Sequence, residues 1–272
     1  GWWKDESFHL ATTLDRNELE KFFLEEYAPT PIIAPWNKGS GFVFAENNPK
    51  LAVIETSKSA RLESFRTAVS EARKLTFELG AADNKMREIK EETKRKEITK
   101  AEKQRIKNSP DYKKRLAEAD RLFKTIKAGF IPLCRRQWRG KHQEWMDAAL
   151  VLTSENEAKF PAVLGSGGND GKNDFTKQYM ESICAIMDVQ SGLPKPSAKD
   201  RFIASLFNVT GQETYIDKLP VGQFMPSQAG GANMGNSPDS NSAGNPWDYV
   251  LLLEGTLVLQ SSVTRKAAVS VT

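Results

Sequence analysis

The stretch Thr56–Leu79, TSKSARLESFRTAVSEARKLTFEL, carries apolar residues at Leu62, Phe65, Val69, Ala72, Leu75 and Leu79, the spacing of one face of an α-helix. Gly80 and Asp83 interrupt that stripe. The next stretch, Lys85–Lys107, KMREIKEETKRKEITKAEKQRIK, is built of strong helix formers. Its apolar positions (Met86, Ile89, Ile98, Ala101, Ile106) form no continuous stripe, so a helix there must project into solvent or lie against a polar partner. Ser109-Pro110-Asp111 reads as a turn, after which Leu116, Ala119, Leu122, Ile126 and Phe130 resume the helical period. Residues 56–130 are therefore expected to be helices folded back on one another, with a basic arm at the tip.

Outward from this stretch the signals remain mostly helical. Asp15-Arg16-Asn17-Glu18 has the spacing of a capping box, with Leu19, Phe22 and Phe23 on one face of the helix that follows. Pro29 to Phe44 is loop, rich in proline, glycine and aromatics. Gln137 to Leu152 reads as a helix anchored by Trp138, Trp145, Leu150 and Leu152. A glycine-rich loop from Leu164 to Asp174 precedes a helix from about Phe175 to Gln190 carrying Tyr179, Ile183 and Ile186. Leu193 to Lys199 is a proline-containing linker, and Asp200 to Phe207 a short helix. Pro220 to Gly244 is a long Gly/Ser/Asn/Gln segment. Asn245-Pro246-Trp247-Asp248 then opens a helix, with Asn as cap, Pro at the first position and Asp in the first turn. Only Gly41 to Phe44 and Leu51 to Ile54 read as strands. The expectation is a mainly α fold with long glycine-rich loops, a minor β component (α+β) and a protruding basic helical arm. It divides into residues 1–55 (first part of the body), 56–133 (the arm) and 134–272 (the remainder of the body).

The net charge of +4 over 272 residues conceals a segregation. Lys58 to Lys141 holds 25 Lys and Arg against 12 Asp and Glu, a net of +13. The rest holds 14 against 23, a net of −9. Two readings compete for the basic block: a solvated, salt-bridged helical face, or a surface for a polyanion. Two bases per acid is more than intrahelical pairing requires. The longest apolar run, Tyr249 to Leu253, is far short of the roughly 20 residues of a membrane span. No charged-then-apolar leader opens the chain, and Cys134 and Cys184 read as reduced thiols, so a cytoplasmic protein without membrane partners is expected. The Gly1-Trp2-Trp3 start and the Val271-Thr272 stop lead us to expect a piece of a longer protein.

Enzyme chemistry finds few residues to work with. The two histidines, His9 and His142, lack a second histidine or a cysteine at ligand spacing, so no metal site and no cofactor is expected. No G-x-S-x-G elbow occurs. The loop Gly165-Ser166-Gly167-Gly168-Asn169-Asp170-Gly171-Lys172-Asn173 departs from the Walker pattern, with Ser166 at the first glycine and Asn173 at the Ser/Thr position. It also departs from G-x-G-x-x-G, because Asp170 replaces the third glycine. What remains is an anion cradle of backbone N–H groups and one lysine, or a tight turn beside a helix cap. Trp36-Asn37-Lys38-Gly39-Ser40-Gly41-Phe42, Gly222-Gln223-Phe224 and Gly230-Gly231-Ala232-Asn233 combine glycines with amide or basic side chains that suit base edges and sugars. Equally, these loops could pack against Trp36, Phe42 and Trp247 and only hold the fold.

Five ordered blocks of this chain resemble the large subunit of type I-G (formerly type I-U) CRISPR surveillance (Cascade) complexes. They are Pro29 to Phe42, Gly165 to Phe175, Gly222-Gln223-Phe224, Ala229 to Asn233, and Asn245-Pro246-Trp247-Asp248-Tyr249 through Glu254-Gly255. The family's proteins are longer, so the resemblance implies a missing short N-terminal segment and a missing C-terminal helical bundle. It also implies a non-catalytic subunit of an antiviral, RNA-guided machine that recognises the protospacer-adjacent motif (PAM) in double-stranded target DNA and stabilises the R-loop. Its partners would be CRISPR RNA, the backbone and RNA-processing subunits, and a helicase-nuclease recruited after binding. The alternative is a structural scaffold that docks effector proteins and CRISPR RNA without reading DNA.

On the motif-reading view the nucleic-acid-binding residues fall in two sets. Lys94, Arg95, Lys96, Lys103, Arg105, Lys113, Lys114 and Arg115 on the arm, with Arg135, Arg136, Arg139 and Lys141 near the body, are expected to contact phosphates. Asn37, Lys38, Asn169, Lys172, Asn173, Gln223 and Asn233 are expected at the motif-reading or RNA-handle surface.

Overall fold

Asp15 opens the first helix as its spacing requires: its side chain accepts from the Glu18 N–H at 2.9 Å, and the Glu18 carboxylate accepts from the Asp15 N–H at 2.8 Å. The computed structural model describes residues 1–5, 7–36, 40–43, 45–95, 97–140, 142–152, 158–159, 175–207, 216–220 and 241–258, and this part is mostly helical. Ahead of the capping box, β1 (Trp2–Lys4) pairs antiparallel with β2 (Ser7–His9). Helix α1 (Arg16–Lys21) passes into a π-helical turn, Phe22–Glu26. The extra residue per turn rotates the buried face, so Leu19 and Leu24 are buried while Phe22, expected on that face, is exposed.

Leu51 to Ile54, expected as a strand, lies in helix α2 (Pro49–Glu55). Proline at its first turn favours the helix, and Leu51 and Ile54, three residues apart, share its buried face. Helix α3 (Glu63–Glu91) runs straight through Gly80 and Asp83, where a break was expected. A glycine inside a helix costs about 1 kcal/mol. Burial on one face at Phe65, Ala68, Val69, Ala72, Thr76, Leu79, Ala82, Met86 and Ile89 outweighs that cost. Met86 and Ile89 thus continue the first stripe instead of opening a polar helix.

The polar stretch reduces to a turn and helix α4 (Lys100–Asn108), which opens on a second capping box, Thr99 with Glu102. Ser109 alone separates α4 from α5 (Pro110–Gln137), and its hydroxyl accepts from the Tyr112 N–H at 3.2 Å. Ser109-Pro110-Asp111 is therefore the start of a helix as well as the bend before it. Helix α5 continues through Pro132 and buries Tyr112, Ala119, Phe123, Phe130, Ile131 and Cys134. It packs along α3, and the start of α5 meets the end of α3, so the two form an antiparallel hairpin about 40 Å long.

The helix expected over 137–152 is shorter. Trp138 caps α5, Gly140 and His142 turn the chain at φ +79° and +51°, and α6 spans only Gln143–Ala149. Strand β3 (Val151–Leu152) then pairs with β4 (Ala158–Lys159). Helix α7 (Phe175–Ile186) buries Tyr179, Ile183 and Ile186, ending four residues before the expected Gln190. Helix α8 (Ala198–Phe207), strands β5 (Ile216–Pro220) and β6 (Asn241–Gly244), and helix α9 (Pro246–Gly255) complete the described elements. Asn245 caps α9 as expected, accepting from the Trp247 N–H at 3.0 Å. Among the described residues no helix is long and apolar enough to cross a membrane.

The core joins α3, α5, α7 and α9 to the loop after the π-turn, where Ile32, Ile33, Trp36 and Phe42 are buried. Trp36, Phe42 and Trp247 thus serve packing. Gly41 is needed twice over: φ is +85°, and a Cβ there would stand 2.7 Å from that of Asn48.

Two polar clusters pin this core. The Glu254 carboxylate accepts from the Tyr27 hydroxyl, the Tyr179 hydroxyl (2.6 Å), the Thr30 N–H (2.9 Å) and the Thr30 hydroxyl (2.6 Å). The Arg61 guanidinium donates to the carbonyls of Tyr27 (2.8 Å), Leu24 (2.7 Å), Gly192 (2.5 Å) and Phe23 (3.2 Å). Burial, then the neighbouring carboxylate, holds the Tyr27 phenol well above the usual 10.0, and burial does the same for Tyr179.

Two outcomes follow. Glu254→Gln replaces an acceptor of four donors with an amide that must itself donate, and is expected to destabilise the chain by about 1–3 kcal/mol in urea unfolding. Tyr27 and Tyr179 keep their protons in the fold, so stability holds below pH 10 and declines as pH rises from there toward their folded values. Absorbance titration of phenolate is expected to show two of the five tyrosines ionising only on unfolding.

Candidate nucleic-acid interface

A helix that buries one face against a partner must send its remaining long side chains outward, and α5 sends out cations. Lys114, Arg121 and Arg135 recur every seven residues, with Ala128 between the last two, so they share one line along the helix. Lys113, Lys114, Arg121, Arg136 and Arg139 are exposed, and among the described residues none of the five forms an ion pair. Leu122, expected in the buried stripe, is 45% exposed on this side, while its neighbour Phe123 is buried. An open hollow of about 610 Å³ follows this surface past Lys114, Glu118, Arg121 and Thr125. Glu118 is its acidic member, and Lys124 beside it is paired with Asp120 at 2.7 Å.

Arg121 was not among the residues singled out from the sequence. The seven-residue spacing through Lys114 and Arg135 was the signal that would have found it. Lys100 and Lys107, seven apart and exposed on α4, were passed over in the same way.

At the hairpin tip the cations divide by what they touch. Arg115 is a fork on Glu92, with Nη1 and Nη2 at 2.7 and 2.9 Å from its two carboxylate oxygens, and Nε lies 2.8 Å from Asp111. These partners raise the Arg115 guanidinium further and hold the Glu92 carboxyl below its usual range. The fork ties the end of α3 to the start of α5, so Arg115, expected on phosphate, has a structural task. Lys94 pairs with Glu91 at 2.8 Å. Arg135 pairs with Asp147 at 2.7 Å, joining α5 to α6. Arg95, Arg105, Lys113 and Lys114 are exposed, while Lys103 is half-buried. Arg105 also lines a tip hollow of about 530 Å³ with Ile98, Ile106 and Ser109.

Of the remaining expected contacts, Asn37, Lys38, Lys96, Lys141, Asn169, Lys172, Asn173, Gln223 and Asn233 lie outside the described residues. The start of the proline block faces the turn that follows the second basic cluster. A hollow of about 640 Å³ lies between Ala28–Pro31 and the turn from Gly140 to Asp147, directly after Arg139. Glu254 fixes its Thr30 rim.

Among the described residues no three of His, Cys, Asp and Glu stand together as metal ligands. Neither protein-family models nor curated proteins yield a match to this chain.

Removal of the fork by Glu92→Gln is expected to open the tip locally while leaving the body unchanged. Hydrogen exchange should quicken at the amides of 97–109 and stay constant in α7 and α9. The same local opening is expected to set in as pH falls through the depressed Glu92 value, because that carboxylate contributes stability only while ionised.

Proposed function

We propose that this chain is a non-catalytic, nucleic-acid-binding subunit that acts as the large subunit of a type I-G CRISPR surveillance complex. It reads the protospacer-adjacent motif in duplex DNA and stabilises the R-loop. The observation that carries the reading is the outer face of α5, where the exposed Lys114 and Arg121 stand one above the other seven residues apart, with exposed Lys113 near its start and Arg136 near its end. Such a line suits a phosphate backbone, whose contacts give affinity and strong salt dependence without sequence information. The five ordered family-like blocks supply the rest of the reading, including CRISPR RNA, the backbone and RNA-processing subunits and the helicase-nuclease as partners, and the cytoplasm as the place. On this view the hairpin is the basic arm, and the glycine-rich blocks between 165 and 233 form the motif-reading surface.

The scaffold alternative draws on a specific observation too. Lys94, Arg115, Lys124 and Arg135 are engaged by carboxylates, as cations of a salt-bridged face would be. It predicts that the chain does not distinguish duplexes that differ in the flanking motif.

Salt titration of duplex binding separates the two. Neutralising Lys114, Arg121, Arg136 and Arg139 to Gln is expected to weaken binding uniformly across sequences, and to flatten the log K against log salt slope by about one unit per lost contact. Unchanged affinity and slope would leave the arm a solvated face. Selection from a pool randomised at the flanking motif tests motif reading, with enrichment of one motif expected and an unselected pool favouring the scaffold.

A further inference from the structure

The outward face of α3 carries a different pattern from that of α5. Lys74, Phe77, Ala81 and Lys85 stand at i, i+3, i+7 and i+11, one line along the helix. All four are exposed, and Phe77 is 80% exposed, more than any other large apolar side chain among the described residues. A shallow hollow of about 340 Å³ opens beside the ring, bordered by Phe42, Arg73, Gly80, Ala81 and Asn84. A Cβ on Gly80 would meet nothing within 4 Å, so bare backbone lies open one turn from the ring. Arg73 is held by both oxygens of Glu55, at 2.8 and 2.9 Å, whereas Lys74 and Lys85 make no ion pair among the described residues and bracket Phe77 over about 16 Å of helix. Glu78 and Glu88 are the acids on the flanks.

The composition of this face selects its ligand. A protein interface needs several hundred Å² of contiguous contact around a cluster of apolar anchors. Here one ring stands alone, with lysines, an exposed amide and small residues along its line and Glu78 and Glu88 to its sides. A flat π-face between two free cations instead matches a single-stranded nucleic acid, whose bases stack on aromatic rings while its phosphates meet lysines.

We propose that the outward face of α3 is a stacking platform for unpaired bases, with Phe77 as the stacking ring and Lys74 and Lys85 on the flanking phosphates. The inference rests on the nucleic-acid reading above and adds a place where a separated strand is held, on the opposite helix from the phosphate line of α5.

The test is fluorescence anisotropy of the whole chain with labelled oligo-dT and, in parallel, a labelled duplex of equal length, each variant first checked by thermal melting. Phe77→Ala is expected to weaken oligo-dT binding about 5- to 20-fold, the loss of one base–aromatic stack, while duplex affinity stays within about 2-fold. Phe77→Trp is expected to restore binding and Phe77→Leu, apolar without a π-face, to behave like the alanine variant. Unchanged oligo-dT binding in Phe77→Ala, or full binding in Phe77→Leu, overturns the proposal and returns this face to a protein partner. A chain that binds duplex but not oligo-dT sinks the platform and leaves the proposed function standing. A chain that binds neither removes both.

Discussion

The rest of the molecule depends on the burial of α3 against α5. Two helices of 29 and 28 residues share one apolar seam, from Phe65 to Ile89 on one and from Tyr112 to Cys134 on the other. Once that seam is inside, the long charged side chains interleaved with it have only the outward faces to occupy. The charge segregation of the sequence thereby becomes a spatial one. The tip beyond the seam has little to bury: α4 contains no buried residue. It is closed by polar devices instead, the Thr99–Glu102 box, the Ser109 cap and the Arg115 fork on Glu92. Such devices are individually weak and exposed to solvent, which makes the tip the least stable part of the hairpin.

The body is held differently. A carboxylate partly withdrawn from water needs donors for its lone pairs, and Glu254 finds four from residues 75 to 227 positions away. Arg61 does the converse, gathering four carbonyls from the π-turn, its end and the turn at Gly192. Carbonyls at the end of a helix lack partners within it, so the guanidinium completes what the π-turn leaves open. Together the two clusters lock the segment from Phe23 to Thr30 onto α7 and α9. The rim of the hollow beside Arg139 is therefore rigid because of a residue far along the chain.

Local chemistry was legible in the sequence, and cooperation between distant segments was not. The Asp15 box and the Asn245 cap with Pro246 each depend on residues within one turn, and both stand where the spacing placed them, whereas the stripe of α5 kept Ala119 and Phe130 but exchanged Leu122 for Phe123. Gly80 and Asp83 looked like a break because their intrinsic cost is local, while the packing that overrides it comes from another helix. Leu51 to Ile54 has strand-like residues, yet Pro49 and a spacing of three decided for helix. Phe22 moved outward because a π-turn shifts the face by one residue, which no periodicity reveals. In the candidate site the excess of cations was visible, but not which of them would be engaged. Arg115 and Arg135 differ from Arg121 only in having Glu92 and Asp147 brought beside them by the fold.

That difference matters more than the count of charges. On the proposed reading the hairpin presents two chemically unlike faces. The α5 line acts through Coulomb forces that reach about 8–10 Å and are screened by salt, so it attracts any phosphate backbone and discriminates little. The α3 line acts through contact between an exposed ring and a base, which requires the base to be unpaired and is far less sensitive to salt. A duplex satisfies the first face and cannot satisfy the second. Strand separation thus gains a binding partner only after it has begun, and a protein with such a pair of faces favours the opened state without performing any chemistry on it.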